Sequence, residues 1–100
     1  MKPFIIFLFF IFTASAFSQT YKVSGRIADA KNNKGLEYAT IKIADSTYGT
    51  ISDKEGNYFV NLAPGKYSII YSYIGYKTET EEIEVYNEDV KKDIYMDTSG

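Results

Sequence analysis

From Tyr21 to Met96 the apolar residues recur at every second position, not at every third or fourth. Successive side chains of a strand point to opposite faces, so this period marks strands with one buried face. Tyr21-Lys22-Val23-Ser24-Gly25-Arg26-Ile27 sets Tyr21, Val23, Gly25 and Ile27 on one side. Ala39-Thr40-Ile41-Lys42-Ile43 alternates cleanly, and Tyr58-Phe59-Val60-Asn61-Leu62 turns Tyr58, Val60 and Leu62 inward. Tyr67, Ile69, Tyr71 and Tyr73 oppose Ser68 and Ser72, and Ile83-Glu84-Val85 and Ile94-Tyr95-Met96 complete the set. β-Branched residues and tyrosines dominate these runs, as a pleated surface favours. Glu79 to Glu84 has the charge content of a short helix, but Thr78, Thr80, Ile83 and Val85 favour a strand.

Turn chemistry falls between the runs. Lys31-Asn32-Asn33-Lys34-Gly35 reads as a turn, and Asp53-Lys54-Glu55-Gly56 as a hairpin loop with Gly56 in the left-handed region. Ala63-Pro64-Gly65-Lys66 suits a type II turn, with Pro64 fixing φ and Gly65 taking positive φ. Gly75 marks a bend, and Asn87-Glu88-Asp89 the last turn. Turns every 8–12 residues or so indicate an all-β antiparallel sandwich or barrel with no long helix.

Residues 1–18 are of another kind. They hold six of the seven Phe, with nine unbroken apolar residues from Phe4 to Phe12 after Lys2 and a small-residue exit at Ala14-Ser15-Ala16-Phe17-Ser18. That is the pattern of a signal peptide, and it is shorter than the roughly 20 apolar residues of a transmembrane helix. Cleavage after Ala16 and after Ser18 both fit; cleavage between Ser18 and Gln19 is preferred because it removes Phe17. The expected organisation is a leader at 1–18, one domain at 19–97, and the start of a linker or tail at 98–100. Without the leader, Tyr rather than Phe is expected to build the core, all ten Tyr lying beyond residue 18.

Charge and missing residue types exclude several functions. Residues 19–100 carry ten basic and thirteen acidic side chains with no basic stripe, which argues against nucleic acid. There is no Cys, hence no disulfide and no lipid-modified N-terminal cysteine. There is no His, so serine triads, Cys–His dyads and the usual zinc sites each lack a member. No catalytic residue, cofactor or metal is expected. Asp53, Glu55 and Asn57 alternate like calcium ligands, but Gly56 sits at the fourth place and Pro64 at the twelfth, which breaks the EF-hand pattern. Glu79, Glu81, Glu82 and Glu84 read as a charged edge strand that discourages sheet-to-sheet aggregation. Tyr48, Phe59, Tyr76 and Tyr86 are the aromatics expected at the surface, and the ones available for a glycan contact.

In order along the chain, five motifs resemble the carboxypeptidase regulatory-like domains. They are Val23-x-Gly25-x-Ile27-x-Asp29; Gly35-Leu36-x-x-Ala39-x-Ile41-x-Ile43; Gly49-Thr50-x-Ser52-Asp53-x-x-Gly56-x-Tyr58; Pro64-Gly65-x-Tyr67; and Ser72-Tyr73-Ile74-Gly75-Tyr76-Lys77. Two positions depart from the usual pattern: Gly35 stands where Pro is common, and Tyr38 where Gly is common. The resemblance implies a transthyretin-like, Ig-like β-sandwich of about seven strands, with Gly25, Asp29, Ala39, Gly49, Asp53, Gly56, Tyr58, Pro64, Gly65, Tyr67, Gly75 and Tyr76 in structural roles. It also implies a non-catalytic module. Related hydroxyisourate hydrolases depend on His and are excluded. Leader followed directly by such a domain matches the periplasmic start of SusC-like TonB-dependent outer-membrane receptors, whose partners would be other domains of the receptor or periplasmic proteins. The alternatives are a self-standing exported adhesion or scaffold domain and an accessory domain of a larger peptidase.

Overall fold

The structure, a computed structural model, describes residues 19–100; the expected leader and its cleavage site lie outside the described residues. Eight strands follow in order: β1 (Tyr21–Asp29), β2 (Thr40–Ile43), β3 (Gly49–Ile51), β4 (Asn57–Leu62), β5 (Gly65–Ser72), β6 (Glu79–Val85), β7 (Val90–Lys91) and β8 (Ile94–Met96). Among the described residues there is no helix.

The strands form two sheets. β1 is central in one, with β4 on one side and both β7 and β8 on the other; the second runs β3-β2-β5-β6. β1 pairs antiparallel with β4, Tyr21 opposite Leu62 and Gly25 opposite Tyr58. β7 and β8 pair parallel with β1, Val23 opposite Val90 and Ile27 opposite Ile94. The sandwich is therefore mixed rather than wholly antiparallel. Neither short β3 nor β7 stands out in the alternation, because three or two residues carry too little of the period.

Side chains turned inward by the period of two meet between the sheets. β4 shows it cleanly: Tyr58, Val60 and Leu62 are buried while Asn57, Phe59 and Asn61 are exposed. Val23 and Ile27 of β1 pack with Ile41, Ile69, Val85 and Met96 from other strands. The core is mainly aliphatic. Tyr58 and Tyr71 are its only buried tyrosines among the described residues, while Tyr21, Tyr67, Tyr73 and Tyr76 flank it half-buried. Rings with hydroxyls collect at the rim because each hydroxyl must keep a partner.

Two expected turns differ. Asp53–Gly56 closes tightly, with Gly56 at φ 88° as expected, but β3 and β4 belong to different sheets. The turn is an arch between sheets, not a hairpin. Gly65 does not have positive φ, so Pro64-Gly65 is not a type II turn. Gly65 is already the first residue of β5, opposite Val85. The corner is fixed instead by Tyr67, whose hydroxyl donates to the Ala63 carbonyl at 2.6 Å, in the manner of a tyrosine corner. β6 is an outermost strand, and its glutamates lie along that edge.

Candidate functional site

The densest polar constellation surrounds the junction of β7 and β8. Both hold a constant register of 67 residues with β1, broken at Lys92-Asp93. The Lys92 N–H continues the ladder to the Ser24 carbonyl at 2.7 Å. The Lys92 carbonyl instead accepts the Tyr58 hydroxyl at 2.7 Å. The Arg26 N–H donates to the Asp93 carboxylate at 2.9 Å, and four residues earlier on both strands the Lys22 N–H donates to the Asp89 carboxylate at 2.8 Å. Two aspartates thus supply side-chain oxygens on either side of the short β7.

This arrangement explains two of the motif residues. Tyr58 has one hydroxyl proton, and it goes to Lys92. The 2.8 Å bond between Tyr58 and Tyr71 is therefore donated by Tyr71. Burial raises the pKa of both phenols; at Tyr71 the bond it donates raises it further. Gly25 sits beneath the inward carbonyl, and a Cβ added there would overlap the Lys92 oxygen. Glycine is required at this position by close approach, not by backbone angle.

Asp29 organises the opposite end of β1. Its carboxylate accepts the Lys31 and Asn32 N–H groups at 2.7 and 3.1 Å and the Tyr76 hydroxyl at 2.6 Å. The Tyr76 bond, then the two backbone bonds, hold the Asp29 carboxyl below its usual range; Asp29 in turn raises the Tyr76 phenol. Tyr76 is thus half-buried and engaged, not a free surface aromatic as expected. The segment from Tyr73 to Lys77, turning at Gly75 with φ 88°, also holds residues 97–99. The Lys77 N–H donates to the Asp97 carbonyl, the Ser99 N–H to the Gly75 carbonyl, and Tyr76 forms a β-bridge with Thr98. Backbone pairing therefore continues past Asp97 as far as Ser99.

The other motif residues hold loops. Ala39 is buried, and its N–H donates to the Ser52 hydroxyl at 2.8 Å, which donates to the Leu36 carbonyl at 2.6 Å. Asp53 accepts the Glu55 and Asn57 N–H groups, as an Asx turn does. Gly49 opens β3 against the Ile41 backbone. Tyr38, which stands where glycine is common, adopts φ 62°, the left-handed conformation that glycine takes freely.

Of the aromatics expected outside, Tyr48, Phe59 and Tyr86 are exposed, and Lys22 lies over the Phe59 ring at 5.0 Å. Tyr38, Ile51, Ile74 and Tyr95 are exposed as well. An open cleft of about 1000 Å³ lies between the β2–β3 turn and the start of β5, lined by Asp45, Ser46, Tyr48, Asn61, Lys66 and Glu84 among others. Among the described residues no group of three acidic side chains is placed to hold a metal ion. None of their buried side-chain polar atoms lacks a partner.

These features define a β-sandwich whose motif residues Gly25, Asp29, Ala39, Asp53, Tyr58 and Tyr76 fix strands and loops. Residues 23–99 match the family model of the CarboxypepD_reg-like domain, and the chain belongs to that family. It is similar to TonB-dependent receptor P39 of Formosa agariphila, 31% identical over 83 residues, covering 81% of this chain and 8% of the receptor. It is also similar to human carboxypeptidase D, 35% identical over 66 residues, covering 66% of this chain and 5% of that protein. The chain thus spans less than a tenth of the length of these relatives. Among solved structures, a chain of a type II cohesin–X-dockerin complex from Acetivibrio cellulolyticus superposes with a TM-score of 0.58 at 22% identity, over 76% of this chain and 56% of that one. A DUF3823 family protein from Bacteroides ovatus gives 0.58 at 14% identity, over 78% and 44%. These two establish the shared fold.

Proposed function

We propose that the chain is a non-catalytic, exported β-sandwich module, the N-terminal periplasmic domain of a TonB-dependent outer-membrane receptor for nutrient uptake. The carrying observation is the similarity to a TonB-dependent receptor over most of this chain. The leader pattern at 1–18 supports export. Partners in this reading are other domains of the same receptor or periplasmic proteins, met through sheet edges and loops. In this reading the exposed rings of Tyr48, Phe59 and Tyr86 are the ones available for a glycan contact.

Cell fractionation with an antibody against residues 19–97 tests the reading. A receptor-sized band in the outer-membrane fraction is expected. A domain-sized band in the periplasm or medium overturns it in favour of a self-standing exported domain. The similarity to carboxypeptidase D favours a second reading, an accessory domain of a peptidase. A zinc-binding H-x-x-E motif encoded in the same reading frame, in place of roughly ten-residue alternating barrel strands, would carry that one instead.

A further inference from the structure

We infer that this domain is built to resist tension applied between Gln19 and Gly100. The inference rests on strand direction and is independent of the receptor reading. β1 begins at Tyr21, and β8 ends at Met96 opposite Asp29, the last residue of β1. Because β7 and β8 run parallel to β1, Tyr21 and Met96 lie at opposite ends of one strand pair. At about 3.3 Å per residue, the nine residues of β1 separate these ends by roughly 30 Å.

Tension pulling Gln19 one way and Gly100 the other slides β1 along β7 and β8. The interstrand bonds lie across the pull and are loaded together. They include Ser24 to Lys92 at 2.7 Å and Ala30 to Met96 at 2.9 Å. Charge-assisted bonds flank β7: Lys22 to Asp89 ahead of it, and Arg26 to Asp93 where the ladder breaks, each with a carboxylate acceptor. The break is also tied inward by the Tyr58 hydroxyl on the Lys92 carbonyl, and across to the second sheet by Lys92 Nζ to Glu81 at 3.3 Å. Such bracing at the one weak point of a two-strand clamp keeps the strands from sliding at Lys92-Asp93. A pull that separates β1 from β7 at their common starting end would instead open the same bonds one after another.

The chain has no cysteine, so introduced thiols give unique handles. In the full chain, Gln19→Cys with Gly100→Cys gives the end-to-end pull. Gln19→Cys with Asn87→Cys gives the same-end pull, all three positions being exposed and outside strands. Single-molecule stretching at one loading rate should give a higher unfolding force end to end than from the same end, because several ladder bonds must yield together. Equal forces, or a weaker end-to-end force, overturn the inference. Replacing both acceptors, Asp89→Ala with Asp93→Ala, should lower the end-to-end force while urea denaturation verifies that the variant is folded. An unchanged force in that folded variant overturns the assignment of load to the two carboxylates.

Discussion

Replacing Tyr58 by Phe should cost more stability than replacing Tyr71, although Tyr71 is the more deeply buried ring. The reason is the direction of the two bonds. Tyr58→Phe leaves the Lys92 carbonyl without its 2.7 Å donor and the Tyr71 hydroxyl without its 2.8 Å acceptor. Two unpaired groups in a buried setting cost about 2–4 kcal/mol together. Tyr71→Phe removes only the donor of the second bond and leaves Tyr58 still bound to Lys92, which costs about 1 kcal/mol. Both variants keep the edge-to-face packing of the rings, whose centroids lie 5.4 Å apart. In the double variant Tyr71 no longer carries a stranded hydroxyl, so its cost should fall short of the sum by about 1 kcal/mol. A domain of this size has roughly 4–12 kcal/mol in total, so the differences are measurable in urea, with unchanged m-values confirming the same unfolding surface. A Tyr71→Phe loss equal to or larger than that of Tyr58→Phe would refute the assigned bond directions. Additivity to within about 0.5 kcal/mol would refute the chain of two linked bonds.

Three further outcomes are expected. Gly25→Ala should destabilise by about 3 kcal/mol or more, since its Cβ meets backbone at Lys92 that cannot rotate away; calorimetry showing a small shift would remove the close-approach argument. Tyr38→Gly should stabilise by about 0.5–1 kcal/mol, because the residue sits at φ 62° with an exposed ring; a loss in chemical denaturation would show that the ring contributes more than the backbone strain costs. For Asp29 the sign follows from a folded-state pKa below the ordinary 3.8: its contribution is complete above the unfolded value and disappears as pH falls through the folded one. Asp29→Asn should therefore flatten the acid limb of the stability–pH curve below about pH 4, and an acid limb as steep as that of the natural chain would contradict it.

The strands with inward-facing alternation were legible because period and partner are separate pieces of information, and only period is local. Tyr58, Val60 and Leu62 announce a half-buried strand by themselves. Nothing in Val90-Lys91 or Ile94-Tyr95-Met96 announces that each lies beside a residue 67 positions earlier, or that the pairing is parallel. The turn chemistry shows the same limit: Gly56 reads correctly as left-handed, while the destination of the strand after it, the other sheet, does not appear in the tetrapeptide.

Site residues divide in the same way. Asp53 bonds to its own neighbours, so its Asx turn can be read from four residues. Gly25 and Tyr58 mark a contact between three separated segments, and only a resemblance to related chains singles them out in advance. Gly25 admits the Lys92 carbonyl, and Tyr58 satisfies it once it has turned inward. Each is explained only by the other and by the break in the ladder. Their common cause is the need to carry one parallel strand past an irregular peptide without leaving a buried carbonyl unpaired. A motif written as a glycine and a distant tyrosine is, in physical terms, one hydrogen bond and the space it requires.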